Sequence, residues 1–127
     1  MKLRTTENSI RIRIKKSELA ELKETKSIEE NVNFPSGVLF KFKVSIRQQQ
    51  DKLSATLVSN ELNLSIGADI ANQWITTNDV GVEHYLDLSD GNQLHLLLEK
   101  DFPCLDRPEE DRSDTFWELA PENPESC

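Results

Sequence analysis

The side chains best suited to chemistry sit late in this 127-residue chain, in Glu99-Lys100-Asp101-Phe102-Pro103-Cys104-Leu105-Asp106-Arg107-Pro108. Cys104, Asp101 and Asp106, with a histidine, form one candidate metal set. A thiolate with carboxylates is a weak zinc set, and no paired C-x-x-C accompanies it. Neighbouring acids disfavour the thiolate, which argues against a reactive nucleophile. The simpler role is structural: Phe102, Cys104 and Leu105 pin the chain to a core while the acids stay in water. The two histidines give little more. His84 falls on the apolar side of an alternating run and His95 on the polar side of another. No G-x-S-x-G, H-E-x-x-H, phosphate-loop or dinucleotide fingerprint occurs, and four glycines are too few for a backbone phosphate cradle. No catalytic residue and no cofactor are assigned, and the chemistry points away from an enzyme.

These residues hang on elements that read mainly as strands. Alternation of apolar and polar residues is the signal of a half-buried strand. Ile10, Ile12 and Ile14 alternate with Arg11, Arg13 and Lys15; Phe40, Phe42, Val44 and Ile46 alternate with Lys41, Lys43 and Arg47. Further strands are expected at Leu53–Leu57, Leu62–Ile66, Val80–Leu88 and Leu94–Leu98. Asp90-Gly91 predicts a tight hairpin with positive φ at both positions. Two short helices interrupt the pattern, one at 17–23 with Ser17 as N-cap and one at 68–74 after Gly67.

The two strand-then-helix segments align. Asn8 to Leu22 matches Asn60 to Gln73 with one residue deleted, so that Ile10, Ile12 and Ile14 meet Leu62, Leu64 and Ile66. Ile28, Val32 and Phe34 then correspond to Val80, His84 and Leu86. This predicts an internally duplicated β-α-β-β unit. The expected fold is α+β and mostly β: about seven strands and two short helices in a compact small β-barrel or a curved, antiparallel-rich sheet.

Charge divides the chain near residue 100. Residues 101–127 hold nine acids and two bases, against 14 acids and 13 bases in residues 1–100. Four of the five prolines also lie beyond 100. A single β-rich domain over 1–108 and an acidic tail over 109–127 are expected. Two cysteines, Cys104 and Cys127, do not make a secreted disulfide framework. No apolar run approaches the ~18 residues of a membrane span, and the first residues lack a signal-peptide core. The expected location is the cytoplasm.

Two features suggest binding. Arg11, Arg13, Lys41 and Lys43 carry no acid among them, and would make one cationic face for phosphate or nucleic acid if their strands were neighbours. In the tail, Thr115-Phe116-Trp117-Glu118-Leu119 has capping-box spacing, and Phe116, Trp117 and Leu119 need an apolar surface, their own domain's or a partner's.

Over most of its length the chain resembles a family of small, uncharacterised bacterial proteins, through Asn-Ser-Ile-Arg-Ile-Arg-Ile at 8–14 and Glu-Lys-Asp-Phe-Pro-Cys-Leu-Asp-Arg-Pro at 99–108. That resemblance implies no activity and carries over no functional residue. Residues 8–22 alone are similar to the strand-then-helix start of AbrB/MazE-like swapped-hairpin DNA-binding domains. Here Glu7 stands where that pattern has glycine and Lys15 where it has proline. This second resemblance implies a small barrel more than it implies DNA binding.

The expected function is therefore a non-enzymatic protein-binding or adaptor module whose acidic aromatic tail meets a protein partner. The alternatives are a nucleic-acid binder using the basic strand face, and a metal-dependent activity near Cys104. The sequence sets no oligomeric state.

Overall fold

A computed structural model of the chain describes residues 1–102 and 113–122, with side chains described as far as 119. Its strands are β1 (Lys2–Thr6), β2 (Ser9–Ile14), β3 (Ser27–Asn33), β4 (Leu39–Arg47), β5 (Leu53–Val58), β6 (Glu61–Gly67), β7 (Gly81–Asp87) and β8 (Gln93–Lys100). Helix α1 (Lys16–Thr25) follows β2, and helix α2 (Ala68–Thr76) follows β6. The chain is thus hairpin, helix, hairpin, and then the same order again. No helix among the described residues is long and apolar enough to cross a membrane.

The two halves exchange hairpins. The first sheet has the order β1-β2-β8-β7 and the second β3-β4-β6-β5. Each therefore joins a hairpin from one half to a hairpin from the other. The joins are parallel: Ile10, Ile12 and Ile14 of β2 face Leu96, Leu98 and Lys100 of β8. In the second sheet Phe42, Val44 and Ile46 of β4 face Leu62, Leu64 and Ile66 of β6. The other four pairings are antiparallel hairpins. A parallel join needs a long crossover, which the helices and intervening hairpins supply.

The alternation seen in the sequence now has its cause. Ile12, Ile14, Val44, Leu64, Ile66, Leu96 and Leu98 are completely buried, and residues of both sheets share one apolar cluster with Leu19 and Leu22 of α1 and Ala71 and Trp74 of α2. Each such aliphatic side chain contributes about 1.5–3 kcal/mol on leaving water. The buried Trp74 indole N–H donates to Val80 O at 3.0 Å, so the largest core side chain leaves no polar group unsatisfied.

The fold is α+β and mostly β with two short helices, as expected, and of the two forms expected the described residues form open sheets and no closed barrel: β1 and β7 bound one sheet, β3 and β5 the other. Exchange of hairpins makes two four-stranded layers with separate edges. Finer expectations are corrected. A further strand, β1, precedes β2; it is not expected from the sequence because its only apolar residue is Leu3 and no run of alternation marks it. The registers also move the correspondence of the second hairpins by two residues. Ile28 faces Val44 as Val82 faces Leu98, so Ile28 matches Val82 and not Val80. At Asp90-Gly91 only Gly91 has positive φ. The loop is longer than a two-residue turn: Gly91 N–H donates to Leu88 O at 3.2 Å and Leu88 N–H to Asn92 O at 2.8 Å. The two-residue turn with both φ positive is Ser59-Asn60, between β5 and β6.

Gly67 ends β6 and begins α2 where the 48–52 loop crosses. A Cβ there would lie 2.1 Å from Gln50 O. Gly67→Ala is expected to destabilise the protein by roughly 1–3 kcal/mol through backbone displacement, read as a lower urea midpoint at unchanged slope.

Candidate functional site

The register places the polar residues of the first sheet in rows across its outer face, opposite the buried side. One row runs Lys2, Arg13, Glu99, Gly81; the next Arg4, Arg11, Leu97, Glu83; the third Thr6, Ser9, His95, Tyr85. Two pairs of like charges therefore stand directly across β1 and β2: Lys2 with Arg13, and Arg4 with Arg11. Such pairs are unfavourable unless something offsets them.

Acids offset one row more than the other. Glu99 lies 3.1 Å from Arg11 Nε and 3.6 Å from Arg13 Nε. Asp101 is almost completely buried and pairs with Lys2 at 3.1 Å. Arg13 stacks over the Phe102 ring at 4.6 Å. Burial lowers the Arg13 pKa from its ordinary value; Glu99 opposes that shift and the neighbouring Arg11 adds to it. Arg4 is exposed, and Arg11 meets only Glu99 among the described residues. On the third row Tyr85 and His95 stack face to face, 4.2 Å apart and 4° from parallel. His95 Nε2 lies 2.8 Å from a Glu83 carboxylate oxygen, which fixes the imidazole in its plane.

Arg11 and Arg13 thus belong to this face, whereas Lys41 and Lys43 lie on the second sheet. The single basic face requires β2 and β4 to be neighbours, but each is paired in parallel with a strand of the other half. Lys41 moreover reaches Glu29 at 3.2 Å, and the outer face of the second sheet also carries Lys43, Arg47 and Glu61 among mainly Ser, Thr and Asn. Arg4 escaped notice for the same reason as β1, since one apolar residue, Leu3, gives no period that would place it on a face.

Of the metal candidates, Asp101 pairs with Lys2, while Cys104 and Asp106 lie outside the described residues. The boundary at 108–109 lies outside them as well.

The described part of the tail returns to the domain. Phe116 N–H donates to Asp101 O at 2.7 Å, and Leu119 packs with Phe102, Val80 and Phe116 in a second apolar cluster. Lys100 and Lys16 approach the Phe116 ring at 5.7 and 5.3 Å. The Lys100 ammonium donates to Thr77 O at 2.7 Å. Burial lowers the Lys100 pKa, against the opposing pull of Asp79 and Glu118. Trp117, by contrast, is 64% exposed. Asp114 receives hydrogen bonds from Ser17 N–H at 3.0 Å and Ser17 Oγ at 2.5 Å. The N-cap of α1 is Lys15 and not Ser17, and a carboxylate 97 residues away satisfies one of the free amides of the first turn.

Asp114→Ala should therefore cost about 1–2 kcal/mol and speed amide exchange at Ser17, measured by hydrogen–deuterium exchange. Unchanged exchange would show that the tail does not cap α1.

No curated protein matches the chain, and no solved structure does. A family model matches residues 1–120, and the core strands, both helices and the start of the returning tail described above all fall within it. The chain accordingly belongs to the family described as a family of unknown function, DUF7009.

Proposed function

We propose that the protein is a non-enzymatic protein-binding module, and that it binds through one end of the second sheet. The observation that carries this reading is a concentration of exposed apolar side chains. Of the nine large hydrophobic residues exposed among the described residues, six lie at that end: Val32, Phe34, Val38, Leu39, Leu57 and Val58. Val32 and Leu57 fall on the core side of the sheet and Leu39 and Val58 on its outer side, so the apolar exposure caps this end of the sheet. Apolar exposure gathered in one region marks interaction surfaces more than scattered residues do.

The topology explains why they gather. The β3–β4 and β5–β6 hairpin tips share one end because β4 and β6 run parallel from Lys41 and Glu61. Lys41 N–H donates to Asn60 O at 3.0 Å, tying the two tips together. The first tip is held in a fixed shape: Ser36 and Gly37 both have positive φ, and Phe34 N–H donates to Val38 O at 2.8 Å. Phe34 and Val38 are thus displayed on an ordered turn, which reduces the entropy lost on binding. Burial of Leu119 and partial burial of Phe116 on their own domain move the expected docking role away from those two residues, leaving Trp117 as the outward aromatic of the tail. The repeated element order and the matched parallel registers support descent from one duplicated hairpin–helix–hairpin unit, with an exchange of hairpins like that of the swapped-hairpin domains.

The test is quantitative affinity purification from the native organism with wild type and with Phe34→Ser/Leu57→Ser. A partner enriched by wild type, absent with the double variant and able to rebind purified wild type is the expected result. Equal profiles from two folded baits would contradict the reading.

A further inference from the structure

The outer face of the first sheet has a property that the apolar end of the second does not explain. Arg4 and Arg11 project side by side from adjacent strands, about 5 Å apart at Cβ. Arg11 Nε is turned toward Glu99, and its terminal nitrogens have no partner among the described residues. Arg4 is exposed and has none among them. Like charges directly opposite on adjacent strands are unfavourable, and here Glu99 reaches Arg11 alone of the two. An oxyanion placed between them offsets this and accepts charge-assisted hydrogen bonds from both.

The neighbouring row supplies the second half of a site. His95 is diagonal to Arg11 across the β2–β8 pair, since Ser9 faces His95 and Arg11 faces Leu97. Its ring is covered on one side by Tyr85, which is half exposed. The Glu83 carboxylate at 2.8 Å holds the imidazole in place. Tyr85 offers the π-face turned away from His95, and it stands two strands and one row from Arg11, about 12 Å. On β8, Leu97 lies beside Arg11 and His95 beside Tyr85. An arginine pair that takes a phosphate, an apolar floor and an aromatic face that takes a base, all on one open sheet surface, match the alternation of charge and ring along a polynucleotide backbone.

From this arrangement we infer that the outer face of the first sheet binds a short stretch of single-stranded nucleic acid, a phosphate between Arg4 and Arg11 and a nearby base on Tyr85. Splayed bases are required, because a duplex presents no free π-face to a flat sheet. Glu83 and Glu99 on the same surface, and the net charge of −8, keep the interaction weak and confine it to these few groups.

The full chain is titrated against a fluorescein-labelled oligothymidylate at low salt, followed by fluorescence anisotropy. Saturable binding is expected, weakened about 10-fold by Tyr85→Ala. Arg4→Gln/Arg11→Gln should weaken it by at least as much and lower the salt slope by about 0.7, the value for one phosphate no longer neutralised. Lys41→Gln/Lys43→Gln, on the other sheet, should leave it unchanged. Circular dichroism confirms that each variant is folded, and all five substituted side chains lie off the core. Absence of binding overturns the inference, as does equal weakening by the Lys41/Lys43 variant or none by the arginine variant. Equal affinity for adenosine monophosphate and for the oligonucleotide also overturns it, by assigning the site to free nucleotides.

Discussion

The parallel pairing of β2 with β8 is the interaction on which the rest of the molecule depends. It joins Ile12 to Leu98 across most of the chain, and both side chains are completely buried. Loop closure over such a separation is entropically costly, and only the burial of a wide apolar surface offsets it. The pairing also decides the surface. With β8 beside β2, Glu99 comes to lie between Arg11 and Arg13, and His95 comes to lie diagonal to Arg11. A chain in which each half folded on its own hairpins would have none of these neighbours.

The same join explains how charged residues are tolerated at the end of β8. Glu99, Lys100 and Asp101 are consecutive and all buried. Unpaired, each would cost several kcal/mol. Instead Glu99 faces the β2 arginines, Lys100 reaches Thr77 O and Asp101 meets Lys2. The backbone of Asp101 continues the network: its N–H donates to Ile14 O at 2.8 Å and its carbonyl accepts from Phe116. The returning tail is thus an extension of the sheet's end, and through Asp114 it reaches the start of α1. Fold, tail and outer face are coupled at one place.

Much of this was legible in the residues. Alternation located β2, β4, β5, β6, β7 and β8, because each buries one face and wets the other. The likeness of 8–22 to 60–73 foreshadowed the repeated order of strand and helix. β1 was not legible, since an edge strand with one apolar residue leaves no period to read. The exchange of hairpins was not legible either. An apolar strand face is satisfied equally by a partner from its own half or from the other, so periodicity does not choose between them. Hence Arg11 and Lys43 looked like neighbours, although they stand on different sheets. The stack of Tyr85 on His95 and the like-charge pair of Arg4 and Arg11 depend wholly on register, a property of pairing and not of composition.

The most direct test of the hairpin exchange is a methyl NOE spectrum of the labelled full chain, assigned at Ile12, Leu98, Val44 and Leu64. Cross-peaks are expected between Ile12 and Leu98 and between Val44 and Leu64, the partners of the two parallel joins. Absence of the Ile12–Leu98 cross-peak, with β2 showing backbone NOEs to β3 or β4 instead, would contradict the exchange of hairpins and every surface built on it.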